Sequence, residues 1–323
     1  MERIRFGRTE VMVPRVSLGT WGHGGPNKSG EISVGWSGHD DEQASGAILT
    51  AYESGITHWD TADVYGNGRA ERLIGALWDR VPRAGIFLAT KTGWDAGRFE
   101  HYYHPEQMRK QMEASLRNLS TETVDLYYFH HCDFGPDGEW FDDAMATMLR
   151  FREEGKLRFL GLSDWDAGKI MRWIDRVDPD VVQPYRNVID DDYVSSGLRD
   201  RVDAGDLGVA FFSPIKHGLL LGKYHEPIKF PDGDFRNRIP EFSDPEALAR
   251  INEVATAMRV RFREQPRPAL YALVGAVLAD APTGTALLGQ RNPEQAAAAA
   301  NVGTPLTPDD AEWVRQMYKK IDD

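Results

Sequence analysis

Short runs rich in β-branched and aromatic residues alternate with longer stretches whose apolar positions recur at helical spacing, almost from end to end of the chain. The short runs are expected strands at residues 15–19, 57–62, 86–91, 124–130, 157–162, 181–183, 209–213 and 286–289. The longer stretches are expected helices at residues 41–54, 70–80, 105–118, 141–153, 166–177, 195–204, 245–263 and 293–300. Pro105, Pro245 and Pro293 suit the first turn of a helix, where a missing N–H costs nothing, and Gly55, Gly155 and Gly205 suit helix ends. Eight strand–helix units in succession point to a parallel sheet closed into one α/β barrel spanning residues 1–323. Two segments lie outside the alternation: RIRFGRTEVMV, which reads as an N-terminal hairpin, and LTPDDAEWVRQMYKKI, which reads as a C-terminal helix.

Two connections are long for this architecture, residues 21–39 after the first strand and 215–244 after the seventh, and long loops tend to be functional. In an eight-stranded barrel the loops that follow strands build the active-site face. Four ionisable residues stand at that same end of successive strands: Asp60 and Tyr65 in HWDTADVYG, Lys91 in FLATKTG and His130 in DLYYFHHCD. Period-2 alternation puts His58 with Asp60, Ala89 with Lys91, and Tyr128 with His130 on common faces. Ionisable side chains pointing into a barrel mouth must be paired or carry a large desolvation cost. Asp60 is expected to hold Lys91, the fixed ammonium to lower the phenol pKa of Tyr65 from its ordinary value of about 10, and His130 to hydrogen-bond a substrate carbonyl. A tyrosine so arranged can act as a general acid.

Composition narrows the class. A chain of 323 residues with 41% apolar residues can bury a substantial core, and a net charge of -12 argues against a nucleic-acid partner. The longest apolar stretch, ALYALVGAVLADAP, is too short to span a bilayer. The opening MERIRFGRTEV lacks the apolar run of a secretory peptide, and the single cysteine, Cys132, suits a reducing compartment, so a cytoplasmic location is expected. His58, Asp60, His130 and His131 also have the residue types of a metal site, although adjacent histidines on a strand cannot both point inward without distortion.

GRTEVMVPRVSLGTW, DTADVYGNGRAERLIG, ATKTG, DLYYFHHCD, GLSDW, FFSPIKHGLLLGKY and LLGQRNPEQ occur in an order that resembles the aldo-keto reductase family, over about residues 6–301. The likeness is to the branch holding NADPH-dependent reductases and potassium-channel β subunits. It implies a (β/α)8 TIM barrel with an N-terminal β-hairpin and a C-terminal helix, binding NADPH, or NADH, in extended form. It implies a catalytic tetrad of Asp60, Tyr65, Lys91 and His130. The resemblance counts Thr20, Trp21 and Asp60 among the cofactor-binding residues, gives the nicotinamide carboxamide to Ser163, Asp164 and Gln183, and stacks the ring on Phe212. Ser213, Pro214, Ile215, Gly218 and Leu219 correspond to a pyrophosphate strap, with Lys223 and Arg236 on the same loop, and Gly289, Gln290, Arg291 and Gln295 to the site for the adenosine 2′-phosphate. Asp164 departs from the usual Asn, and Ala298 and Ala299 stand where many relatives have a Glu-Asn pair at the adenine. The implied function is hydride transfer between NADP(H) and an aldehyde, ketone or alcohol. The alternative is an NADP(H)-binding regulatory subunit with low turnover. No metal is implied. Substrate choice would fall to loop residues such as Trp21, Trp36 and Trp94, with His23, Asn27 and Arg98 as polar members.

Overall fold

Alternate inward and outward side chains let eight short strands close on themselves: β1 (Val16–Gly19), β2 (His58–Asp60), β3 (Phe87–Thr92), β4 (Val124–Phe129), β5 (Leu157–Asp164), β6 (Val181–Pro184), β7 (Gly208–Phe211) and β8 (Gly284–Gly289). They are parallel and neighbour one another in chain order, with β8 returning to β1, in a computed structural model that describes residues 1–29 and 31–319. The barrel interior is filled from below by the hairpin Arg3–Arg5 and Met12–Pro14, whose Ile4 and Val13, with Phe6 between them, pack on Phe87, Ala89, Leu126 and Tyr128. Gly7 in the hairpin's turn has φ +54°, and a Cβ there would lie 2.3 Å from Gly208 N, so only glycine allows this close docking.

The expected helices form the outer ring. The first five, α1 (Asp41–Glu53), α2 (Arg69–Gly75), α3 (Pro105–Asn118), α4 (Phe141–Glu153) and α5 (Ala167–Val177), are each fixed by one apolar stripe against the strands. The helix expected at 195–204 is α7 (Leu198–Ala204), which begins after Gly197, and a separate short turn, α6 (Asp192–Ser195), precedes it. α8 (Pro245–Arg261) is followed by α9 (Pro268–Leu278), and α10 (Pro293–Ala299) follows β8. Asp166, Asp244 and Asn292 cap α5, α8 and α10 by accepting backbone N–H groups. α11 (Pro308–Lys319) is the expected C-terminal helix; residues 320–321 of that segment lie outside the described residues.

α9 is the apolar stretch that no amphipathic pattern marks as a helix. It lies between α8, α11 and β8, and Ala269, Ala272, Leu273, Val274, Ala276, Val277 and Leu278 are all buried, so it has little polar face to create a period. The two long loops carry structure of their own. A two-residue ladder pairs Lys28–Ser29 with Ile32–Ser33, and 3-10 turns occupy Lys216–Leu221, Phe235–Arg238 and Pro240–Ser243. Among the described residues no helix is long and apolar enough to cross a membrane.

Candidate active site

Strand register sets the four ionisable residues around one point. Gly19 pairs with Asp60, Asp60 with Ala89, and Lys91 with Tyr128, so the C-terminal ends of β1 to β4 present these groups in adjoining layers. Tyr65 follows in the turn after β2, and His130 directly follows β4, its backbone N–H donating to Thr92 O at 2.8 Å. Lys91 Nζ donates to Asp60 Oδ1 at 2.5 Å and to Thr61 O at 2.8 Å, and stands 3.5 Å from the Tyr65 hydroxyl. Gln183 Nε2 donates to the other oxygen, Asp60 Oδ2, at 2.8 Å. The rings of Tyr65 and His130 meet edge-on at 5.9 Å.

The ion pair is sealed from water, with side-chain exposures of 1% for Lys91 and 5% for Asp60. Burial pushes the Asp60 carboxyl up and the Lys91 ammonium down, and their contact pulls each back toward its charged form. Burial also pushes the Tyr65 phenol well above its ordinary value, reinforced by the negative charges of Asp60 and Asp63. This reverses the sequence-based expectation that Lys91 lowers it. The ammonium is already neutralised by Asp60 at 2.5 Å, so the phenol meets a dipole rather than a free cation, and desolvation wins. Tyr65 therefore keeps its proton at neutral pH. Burial and the Lys91 charge hold His130 well below the usual imidazole value, so it is neutral, and its buried Nδ1 has no hydrogen-bond partner among the described residues.

The remaining histidines of the metal pattern diverge. His58 Nδ1 lies 2.7 Å from Ser17 Oγ deep in the barrel, while His131 packs edge-on to Tyr102 at 4.6 Å. Gly161 faces inward beside β4, and the Tyr128 ring occupies the space a side chain there would need: a Cβ would fall 2.2 Å from Tyr128 Cδ1.

One cavity of about 1130 Å³ runs from Tyr65 and His130 across the barrel mouth to the start of α10. Its walls include Thr20, Trp21, Asp60, Ser163, Gln183 and Phe212, then Ser213, Pro214, Ile215, Gly218, Lys223 and Arg236, then Gly289, Gln290, Arg291 and Gln295. Two of the residues that the resemblance gives to the cofactor are elsewhere. Asp164 turns away and accepts the backbone N–H groups of Cys132 at 2.8 Å and Asp166 at 2.9 Å, a role for which a carboxylate is well suited. Leu219 is buried in the apolar cluster under α8 and α9. Of the loop residues, Asn27, Trp36 and Trp94 line the cavity, His23 is buried with Nε2 2.8 Å from Gln290 O, and Arg98 projects outward toward Glu106.

Sequence reasoning missed Trp165, Phe235, Arg238 and Arg259, all on the cavity wall; His217, inside the strap segment 213–219, lines it too. Trp165 lies two positions beyond Ser163 and so shares its face, a signal that alternation offered. His217, Phe235 and Arg238 sit in the loop after β7, where no period reports orientation, and Arg259 reaches that loop from the end of α8, donating to Leu221 O at 3.0 Å and Gly222 O at 2.9 Å. That loop is latched to the loop after β1 by buried Asp234. Its Oδ2 accepts Ser37 N at 2.8 Å, Ser37 Oγ at 2.6 Å and Arg236 Nη2 at 2.7 Å. Arg236 is thereby fixed over Trp36 and Phe230. Arg291 Nη1 donates to Ser37 O at 3.0 Å, and Gln295 Oε1 accepts Arg291 N at 2.9 Å. Cations outnumber acids on the wall: Lys28, Lys223, Arg236, Arg238, Arg259, Arg267 and Arg291 face Asp60, Asp95 and Glu294. Lys28, Arg236 and Arg267 are paired with Asp232, Asp234 and Glu294, so the positive potential that suits an anionic ligand comes from Lys223, Arg238, Arg259 and Arg291, which have no carboxylate partner among the described residues.

The sequence profile described as the Aldo/keto reductase family matches residues 15–319. An aldo-keto reductase of Schizosaccharomyces pombe, named for NADP(+), is 30% identical over 240 residues, 69% of this chain and 69% of its own. The NADH-specific methylglyoxal reductase of Escherichia coli is 29% identical over 235 residues, 69% of this chain and 70% of its own. The solved glycerol dehydrogenase of Gluconobacter oxydans superposes with a TM-score of 0.81 at 26% identity, covering 98% of this chain and 95% of that one. The chain belongs to the aldo/keto reductase family.

Proposed function

For this aldo/keto reductase we propose hydride transfer between NADP(H) and the carbonyl carbon of an aldehyde or ketone, with Tyr65 as general acid. The observation that carries the reading is a protonated phenol 3.5 Å from a buried Lys91–Asp60 pair, beside a neutral His130, on the wall of a long cationic cleft. When bound, the reduced nicotinamide supplies the hydride to the carbonyl carbon. The carbonyl oxygen becomes an alkoxide, and Tyr65 gives it the hydroxyl proton. The phenolate left behind lies 3.5 Å from Lys91 Nζ, the positive end of the Lys91–Asp60 dipole, which can donate an N–H to it. The high pKa of the resting phenol keeps the acid loaded, and the much more basic alkoxide drives the transfer. His130, neutral, offers a ring N–H to orient the oxygen.

The donor set suits a phosphorylated dinucleotide. Phe212 offers an apolar face, the buried Nε1 of Trp36 has no hydrogen-bond partner among the described residues, and Lys223 and Arg291 hold cations along the wall. Arg291 supports NADPH over NADH because its guanidinium retains donors beyond the one given to Ser37. The buried cysteine is consistent with a cytoplasmic setting, which forms part of the same reading.

The test is carbonyl-dependent loss of NADPH absorbance with substrate in excess. Many turnovers per protein are expected. A single turnover that stops, with tight NADPH binding, would instead make the chain a nucleotide-binding regulatory protein.

A further inference from the structure

Lys91 has a second aromatic neighbour besides the proton donor. Its Nζ lies 5.1 Å from the centroid of the Tyr65 ring and 5.9 Å from that of the Tyr128 ring, both within reach of a cation–π contact. The sheet itself sets the second contact. Lys91 pairs with Tyr128 across β3 and β4, and Tyr128 pairs with Gly161 across β4 and β5, so the three residues stand in one row. Gly161 leaves the room that the Tyr128 ring fills, and the ring is fully buried there. The N–H groups of the ammonium go to Asp60 Oδ1, Thr61 O and the Tyr65 hydroxyl, all from β2 and the turn after it. From β4 it receives the Tyr128 ring.

The Tyr128 hydroxyl does not account for this placement. It is buried with no hydrogen-bond partner among the described residues, an arrangement that costs stability rather than adding to it. Ligand contact does not account for it either, because Tyr128 is absent from the described residues that line the cavity. The titratable groups that act on or feel Lys91 are Asp60 and His58 on β2, Asp63 and Tyr65 in the turn after it, Glu71 on α2, and Tyr128 and His130 from β4. Both histidines are held neutral, so the carboxylates and the phenol rings are what oppose the cost of burying the ammonium. An aliphatic side chain in place of Tyr128 would turn an apolar wall to the cation.

We propose that Tyr128 is a positioning residue for carbonyl reduction: the face of its ring, and not its hydroxyl, keeps the Lys91 ammonium charged and in place beside Tyr65. The proposal rests on the reductase reading, in which that ammonium lies next to the Tyr65 phenolate. Two readouts separate the proposal from the reading. NMR titration of Lys91 in protein carrying isotope-labelled lysine, with its signal assigned through Lys91→Met, needs no turnover, whereas the alkaline limb of kcat for carbonyl reduction does. Pentafluorophenylalanine in place of Tyr128 keeps the shape of the ring and reverses the charge of its face. Relative to Tyr128→Phe, it is expected to lower the pH at which Lys91 titrates by roughly 0.5 to 1 pH unit, the size of one buried cation–π contact. Tyr128→Leu should shift it in the same direction, and Tyr128→Phe should stay within about 0.2 pH unit of the parent. The alkaline limb of kcat should move with the titration, while KM for the carbonyl and NADPH affinity stay at the parent values. Equal Lys91 titration in the Tyr128→Phe and pentafluorophenylalanine proteins overturns the proposal, whether or not the parent reduces carbonyls. A Tyr128→Phe protein that shifts as far as Tyr128→Leu overturns it too, because the hydroxyl would then be the part that acts. A parent without turnover, with Lys91 titrating as expected in every variant, leaves the contact standing and overturns the reductase reading alone.

Discussion

Replacing Asp60 with Asn removes a charge from the most enclosed ion pair in the barrel. Lys91 Nζ would keep Thr61 O at 2.8 Å but lose the carboxylate at 2.5 Å, in a place where its side chain is 1% exposed. Gln183 Nε2, which now donates to Asp60 Oδ2 at 2.8 Å, would still find an amide oxygen or be forced to turn. Breaking a buried pair from one side costs about 3–5 kcal/mol, because the remaining charge has neither water nor partner. That is a large share of a typical folding free energy of roughly 5–15 kcal/mol. Burial already lowers the Lys91 pKa, and Asp60 is the strongest opposing pull, so Asp60→Asn lowers it further. The unfolded chain keeps a lysine pKa of about 10.4, so between the two values the unfolded state binds more protons and the variant gains stability as pH rises. Urea unfolding at pH 7 and pH 9 is the assay. The deficit relative to the parent should be a few kcal/mol at pH 7 and smaller at pH 9, and adding Lys91→Met should recover most of it. A deficit under about 1 kcal/mol, or no recovery in the double variant, would refute the view that an uncompensated buried ammonium is what the carboxylate prevents.

His217 lies on the cavity wall with its pKa lowered to about 3 by burial, so the folded state resists a proton that the unfolded chain takes up near pH 6.5. His217→Gln should therefore gain about 1.4 kcal/mol relative to the parent between pH 7.5 and pH 5.5, read from urea midpoints at the two pH values. Arg291→Met should weaken NADPH binding about tenfold, roughly 1.4 kcal/mol, and leave NADH binding within twofold, measured by fluorescence titration. An equal loss for both nucleotides would place the Arg291 contact away from the 2′-phosphate.

The barrel was legible because its signals are local. Each strand is a short apolar run whose inward and outward residues alternate, and Pro105, Pro245 and Pro293 punctuate the helices where the structure begins α3, α8 and α10. α9 escaped because burial on nearly every side erases the amphipathic period, and the start of α7 was set three residues early because Gly197, at φ +80°, interrupts a pattern that otherwise continues. For the site, alternation correctly put Asp60, Lys91 and His130 on inner faces, and Tyr65 reaches them from the following turn. What alternation does not report is solvent exclusion. The direction of the Tyr65 shift depends on how completely the pair beneath it is neutralised and dried, a property of the closed barrel rather than of any residue type. Asp164 and Leu219 show the same limit: their motif positions are adjacent to the cavity, but hydrogen bonds to Cys132 and Asp166, and apolar packing under α8, turn them elsewhere.

The proton on Tyr65 is the centre of the account, and Tyr65→Phe removes it while preserving the ring that meets His130 at 5.9 Å and Trp21 at 6.2 Å. Single-turnover reduction of a carbonyl by the NADPH complex of this variant should slow by roughly 10²- to 10⁴-fold, with NADPH affinity unchanged. A rate within threefold of the parent would contradict the assignment of Tyr65 as the proton donor.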